Sequence, residues 1–259
     1  MTYVITDKQN YEDIADAIRA KNGSQSTYTP SQMATAISNI SGSKIPIISA
    51  NNLFNNGSNW PFYDRFDFTT GSLTNCNSAF RVCFVSGKVQ VSTLDLTDWN
   101  VSHVSDFSSM FQDCSYLQSL NLSGWNLSSG AFFSSMFSNC SGLTSLNLTG
   151  WVNSNVESFS NIFNGCSSLS SLDISGLCPR STGNVAAYNT FKGMRLNTLD
   201  ISGIDASKIS SNAFRNDNSN MFYDCVVSGT AYCRSAADKT ILDQAVANAG
   251  QSWTFTVKE

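Results

Sequence analysis

Charge, histidine and proline are the scarce commodities of this 259-residue chain, and each shortage removes a class of function. Only 13% of the residues are charged and the net charge is −4, so there is no basic stripe to neutralise a phosphate backbone. Nucleic acid is excluded as a partner, and Ser, Thr and Asn must carry solubility. The single histidine, His103, lies at a polar corner between Trp99 and Phe107 with no periodic acid or nucleophile placed to serve it. Zinc needs several well-spaced ligands, and the chain has neither a second His nor a C-x-x-C pair. Phosphate-cradling loops are missing too, since Gly71, Gly87, Gly124 and Gly150 stand alone as turn residues. No catalytic residue, metal ligand or cofactor is therefore predicted, and the chain reads as a non-enzyme. No apolar run is long enough for membrane insertion. The opening stretch MTYVITDKQNYEDIADAIRA carries acidic residues where an export leader needs a basic start and an apolar run, so no signal peptide is expected as written.

What the chain does have is a period. The stretch Val91 to Cys114, VSTLDLTDWNVSHVSDFSSMFQDC, recurs three more times: Leu94, Leu120, Leu146 and Leu172 follow at steps of 26, and Leu199 at 27. Such periods belong to stacked architectures, in which one unit cannot bury enough apolar surface alone and leans on its neighbours. The first half of each unit reads L-x-x-L-x-L-x-x-W, as in Leu117, Leu120, Leu122 and Trp125, and its alternation predicts a strand. In the second half Phe107, Met110, Phe111 and Cys114 recur as Phe133, Met136, Phe137 and Cys140, then as Phe159, Ile162, Phe163 and Cys166. That spacing predicts a short helix or 3₁₀ turn as the return. The expected fold is an α/β repeat: a leucine-rich-repeat solenoid of about 26-residue coils with a parallel β-sheet on one side, preceded by a small helical hairpin and closed by a helix-plus-strand cap. Cys114, Cys140 and Cys166 fall in the apolar part of the period and read as reduced core thiols; Cys76, Cys178 and Cys233 stay undecided.

These residues resemble the BspA-like leucine-rich repeat family, whose signature is LxLxxWxVSxVxxFxxMFxxCxxLxxLxL. The resemblance runs from about Val91 to Cys225 and is marked by Trp99, Trp125 and Trp151, placed where ordinary leucine-rich repeats carry asparagine. Leu177 and Ile204 replace the tryptophan, and Thr190 and Met194 replace the Met and Cys, so a less regular stack is expected after about residue 175. The resemblance implies a surface adhesin of a bacterium, binding host proteins or neighbouring cells.

The period divides the chain into 1–41, 42–90, 91–227 and 228–259. Residues 1–41 carry two short helical patterns, with Ile14 and Ile18 on one stripe and Met33, Ile37 and Ile40 on the other. Two such stripes are too little for an independent core, so the hairpin reads as an attachment module. Asp13 to Gly23 and Tyr28 to Ile37 resemble a segment near the start of tail-associated proteins of bacteriophages and prophages of Gram-positive bacteria. Residues 42–90 hold a linker, an atypical first coil and an aromatic stretch with Phe54, Trp60, Phe62 and Tyr63. That stretch either covers the first open sheet edge or offers a sugar-binding platform. In the last unit Ser235 and Asp238 start a helix whose Ile241, Leu242, Ala245, Val246 and Ala249 share a side, Gly250 stops it, and Trp253, Phe255 and Val257 alternate as a strand.

The candidate ligand-binding residues are Trp60, Phe62 and Tyr63 together with one outward column of the sheet, Asp95, Asn121, Asn147, Asp173 and Asp200. The column is flanked by hydroxyls and reads either as a solvated face or as a weak, multipoint glycan surface. Carboxylates on one column of one face do not flank a sugar, so a glycosidase is not expected. Two functions follow. One is a virion protein, made in the host cytoplasm and released by lysis, joined to other tail proteins through the hairpin and presenting its repeats to a host-surface glycan or protein. The other is the bacterial surface adhesin. Either one could act as a homo-oligomer.

Overall fold

The computed structural model describes residues 45–46, 50–55, 66–68, 73–86, 89, 91–179 and 182–259, with backbone only at 45, 46, 66 and 67. The hairpin expected over residues 1–41, with Ile14, Ile18, Met33, Ile37 and Ile40, lies outside these residues, and so do Trp60, Phe62 and Tyr63. The fold is mixed α/β, with parallel sheets and one α-helix among the described residues.

The predicted alternation becomes three-residue strands with leucine at the centre. These are β3 (Thr93–Asp95), β4 (Ser119–Asn121), β5 (Ser145–Asn147) and β7 (Ser171–Asp173); the other strands are β1 (Ile45–Pro46), β2 (Phe66–Asp67), β6 (Asn153–Val156), β8 (Leu177–Pro179), the longer β9 (Arg195–Asp200) and β10 (Val226–Cys233), and β11 (Phe255–Val257). Strands β3, β4 and β5 form one parallel sheet in which Leu94 pairs with Leu120 and Leu120 with Leu146. A second sheet has the order β11-β10-β9-β7 and sets Leu172 beside Leu199. Two-stranded parallel pairs, β1-β2 and β6-β8, complete the set. Strand β10 runs across the boundary between residues 227 and 228 drawn from the sequence.

The return segments differ from expectation. Phe107 to Cys114 forms chained β-turns instead of a short helix: Met110, Gln112 and Cys114 donate N–H to Phe107, Ser109 and Phe111. The alternate residues Phe107, Ser109, Phe111 and Asp113 donate to Phe132, Ser134, Met136 and Ser138, 25 residues on. A helix would have spent those N–H groups on itself. Chained turns need left-handed residues, and Ser109, Asp113, Ser135, Asn139, Asn161 and Asn189 take positive φ. Gly165 occupies the same place at φ +75°, and a Cβ there would lie 2.7 Å from Asn139 Oδ1.

Bonding each turn to its successor stacks the side chains in columns. Phe54, Phe80, Phe111, Phe137, Phe163, Phe191 and Phe222 follow ring on ring at centroid spacings of 5.0, 5.3, 5.7, 5.4, 6.3 and 5.5 Å. A second column runs from Phe68 through Trp99 and Trp125 to Trp151. The indole N–H of Trp125 donates to Leu96 O and that of Trp151 to Leu122 O, both at 2.8 Å, so each tryptophan tethers itself to the preceding segment. All eight cysteines are free. Cys114, Cys140 and Cys166 are buried, with each Sγ donating to Phe80, Phe111 or Phe137 O at 3.0 Å. Burial pushes the Cys114 and Cys166 thiols up to about 12.

The far end fits its pattern loosely: a helix and a short strand follow, with Ile241 and Ala249 only partly buried and Trp253 outside the strand. Ser235 caps the helix α1 (Ala236–Asn248), accepting from the Asp238 N–H, and Gly250 ends it at φ +74°. Leu242, Ala245 and Val246 are buried beneath the helix, and Trp253 and Phe255 cover the last ring, Phe222. Two buried polar side chains bolt this cap on. Asn220 donates to Arg215 O and Ala245 O while accepting from the Phe222 N–H, and Asp238 accepts from Ala206 N–H and Arg234. No helix of the described residues is long and apolar enough to cross a membrane.

Candidate functional site

The outward column explains its own composition. Asp95, Asn121, Asn147, Asp173 and Asp200 end their strands, and each Oδ1 accepts the backbone N–H two residues on, from Thr97, Ser123, Thr149, Ser175 and Ser202, at 2.9 to 3.2 Å. Only a short side chain with an acceptor closes this turn, so Asp and Asn interchange. Along the column Asn121 Nδ2 donates to Asp95 Oδ2 at 3.2 Å. The Thr97 backbone N–H, helped by the Thr97 and Asn121 side chains, lowers the Asp95 carboxyl despite its slight desolvation. At Asp200 burial pushes the carboxyl up, but Lys258 and Ser202 outweigh it and the net shift is downward. Lys258 Nζ and Asp200 Oδ2 form a close ion pair.

The column crosses a break. Leu122 N–H donates to Asn147 O and Ser145 N–H to Gln118 O, and the equivalent pair beyond the break, Ile174 to Asp200 and Thr198 to Ser170, is also made. Between β5 and β7 neither bond forms, although Leu146 and Leu172 stand the same 26 residues apart as the paired leucines before them. Instead the two strands part around a cavity of about 420 Å³. Its floor holds Leu146, Leu148, Leu172 and Ile174, and its rim Asn147, Ser171, Asp173, Thr198 and Asp200. Leu146 is only half-buried, whereas Leu94, Leu120, Leu172 and Leu199 are buried.

Contacts bound the opening on both sides. Before it, Ser168 Oγ donates to Ser141 O; after it, Asn153 N–H donates to Gly176 O at 2.8 Å. Gly176 is obligatory there, since a Cβ would lie 1.7 Å from Trp151 O. One residue change accompanies the break: Leu177 stands where a tryptophan would send its indole N–H to Leu148 O. The same tether is missing at Ile204, yet there the longer β9 pairs with both β7 and β10 and holds the sheet closed.

Of the residues singled out from the sequence, Asn147, Asp173 and Asp200 meet at this cavity, while Asp95 and Asn121 lie on β3 and β4 away from it. Sequence reasoning missed Leu146, Leu148 and Ile174 as an accessible apolar floor, and Lys258 as the partner of Asp200. The loss of the tryptophan at Leu177 was the one available signal. Asp173 and Asp200 are neighbours along a column, not groups facing one another across a gap. Among the described residues no three His, Cys, Asp or Glu side chains are grouped to hold a metal ion. His103 is exposed at a corner, with its Nδ1 3.2 Å from Ser102 Oγ.

Residues 48–177 match the family described as Mycoplasma protein of unknown function, DUF285. The chain belongs to this family. No curated protein and no solved structure matches it. The DUF285 segment ends at Leu177, so Thr198 and Asp200 bring to the cavity rim residues from beyond the family match.

Proposed function

We propose that the described residues form a leucine-rich-repeat solenoid of the BspA-like kind, and that this solenoid is a non-enzymatic recognition module. It serves as a tail-associated virion protein of a phage or prophage, joined to other virion proteins through residues 1–41 and binding a glycan or protein of the host envelope. The observation that carries the recognition role is the registered strand face, small, polar and interrupted by a cavity with an apolar floor. A rigid stack behind that face keeps it pre-organised, which lowers the entropy cost of binding. The virion role rests on the resemblance of Asp13–Gly23 and Tyr28–Ile37 to phage tail-associated segments.

A bacterial surface adhesin is the second reading, favoured by the DUF285 description, which names a bacterial source and matches the repeat-bearing part of the chain. Peptide mass spectrometry on density-purified particles released by prophage induction separates the two. Stoichiometric abundance in particles supports the virion component; recovery only from the envelope fraction overturns it in favour of the adhesin. Binding of the full chain to host envelopes tests the role common to both, and absence of binding to envelopes, cells and host proteins alike overturns it.

A further inference from the structure

We propose that the opening between β5 and β7 takes an extended peptide segment of a partner protein as an added parallel strand, with a basic side chain set beside Asp173. This rests on the strand face being a recognition surface and names what that face recognises.

The backbone groups left unbonded across the opening are those that a strand would pair. Leu96, Leu122, Ile174 and Ile201 each give their N–H to the following strand, at Asn121, Asn147, Asp200 and Tyr232. Leu148, at the same place in its segment, gives its N–H to no backbone acceptor among the described residues. On the other side Ser119, Ser145 and Thr198 donate back to Ser92, Gln118 and Ser170, while Ser171 makes no such bond to Thr144. Backbone groups at a buried floor need partners, and a strand at the usual spacing supplies both kinds at once. An inserted peptide would accept from Leu148 and donate to the Thr144 carbonyl. Its other edge would meet Ser171 and the Asp173 carbonyl in the same way.

The lining dictates the side chains. A residue whose side chain points inward lies between Leu146, half-buried, and Leu172, which selects Leu, Ile or Val. The next residue points outward between Asn147 and Asp173. Asp173 Oδ1 is engaged by the Ser175 N–H, and Asp173 makes no ion pair within 4 Å among the described residues; Lys258 is paired with Asp200 beside it and meets Asp173 only through its longer-range field. Lys or Arg is therefore the complementary outward residue. A sugar fits less well, because Trp151 in the lining is 4% exposed and presents no ring face.

The test titrates the isotope-labelled full chain with end-blocked hexapeptides and follows backbone amides by NMR. The probe is SLKLTG, the chain's own Ser145–Gly150 stretch with Lys in place of Asn147. Shifts and slowed hydrogen exchange at Leu148, Ser170 and Ser171 are expected, with SLELTG binding about tenfold or more weakly. N-methylation of the peptide's leucine amides should abolish the response. Asp173→Asn keeps the turn acceptor, as Asn147 does, and should erase the preference for SLKLTG; Asp173→Lys should reverse it. Unmoved amides at millimolar peptide, equal binding of both peptides, or a preference untouched by Asp173→Asn overturns the proposal. So does a sugar oligomer that shifts these amides where the peptides do not. If envelope binding by the full chain persists while every peptide fails, strand insertion is wrong and the recognition role stands; if envelope binding is absent, the recognition role falls by itself.

Discussion

The turn side and the strand side are built on one period, yet the turn side is continuous and the strand side parts between β5 and β7. On the turn side the spacing is irregular: Phe163 and Phe191 are 28 residues apart, and Phe191 and Phe222 are 31, but the rings still stack at 6.3 and 5.5 Å. On the strand side Leu146 and Leu172 keep the regular 26 and do not pair, while Leu172 and Leu199, at 27, do. Ring contact is broad and non-directional, so extra residues loop out and the faces still meet. Strand pairing is directional and fails when a few bonds lose their support. Continuity on one face thus keeps the segments in place while the other face opens.

The largest expected effect comes from cutting the continuous side where the other is already open. Phe137 is fully buried and stacked on both sides, and Phe137→Ala should cost about 3 to 5 kcal/mol in denaturant unfolding. A loss below about 1 kcal/mol would show that the ring column does not hold the two sheets together.

The tethers come next. Trp151→Phe keeps the ring but removes the donor to Leu122 O, and should cost about 1 to 2 kcal/mol. Leu177→Trp should supply the missing donor to Leu148 O, narrow the opening and slow exchange of the Leu148 amide. Unchanged exchange would separate the tryptophan tether from sheet closure.

Alkaline pH probes the thiols of the turn side. Cys166 rises from its ordinary 9.0 to about 12 because burial disfavours the thiolate. A raised thiol contributes stability that is complete below 9 and is lost as pH climbs through its folded value, since the unfolded chain releases its proton first. Stability should therefore fall between pH 9 and 12, and Cys166→Ala should flatten that fall by roughly 1 kcal/mol at pH 10. An unaltered slope would place the titrating groups elsewhere.

The smallest effect belongs to the Asp200–Lys258 pair on the strand side. Asp200 is lowered from its ordinary 3.8, so its contribution is present above that value and is lost as pH falls through the lower folded one. The Lys258 side chain is 45% exposed, which screens the pair, and Asp200→Asn should cost less than about 1 kcal/mol at neutral pH. Thermal melts at neutral and acidic pH would check both the size and the acid dependence.

Much of the architecture could be read from the residues. Leucine alternation gave β3, β4, β5 and β7 their centres, the Ser235, Asp238 and Gly250 signals bounded α1, and the periodic cysteines proved buried and free. The returns were misread because a three- and four-residue spacing suits a helix and a pair of chained turns equally. The Ser, Asn, Asp and Gly residues at the left-handed positions were the local mark of turns. Asn147, Asp173 and Asp200 were named from their column, but nothing in it distinguishes them from Asp95 and Asn121.

By itself the sequence determined the period of the buried side chains and which residues end the leucine-centred strands, because these follow from local pattern and local hydrogen bonding. Only the tertiary structure decided which neighbouring segments pair and which part. Pairing depends on several directional bonds being met together by two segments, and between β5 and β7 they are not met although both strands carry the leucine pattern.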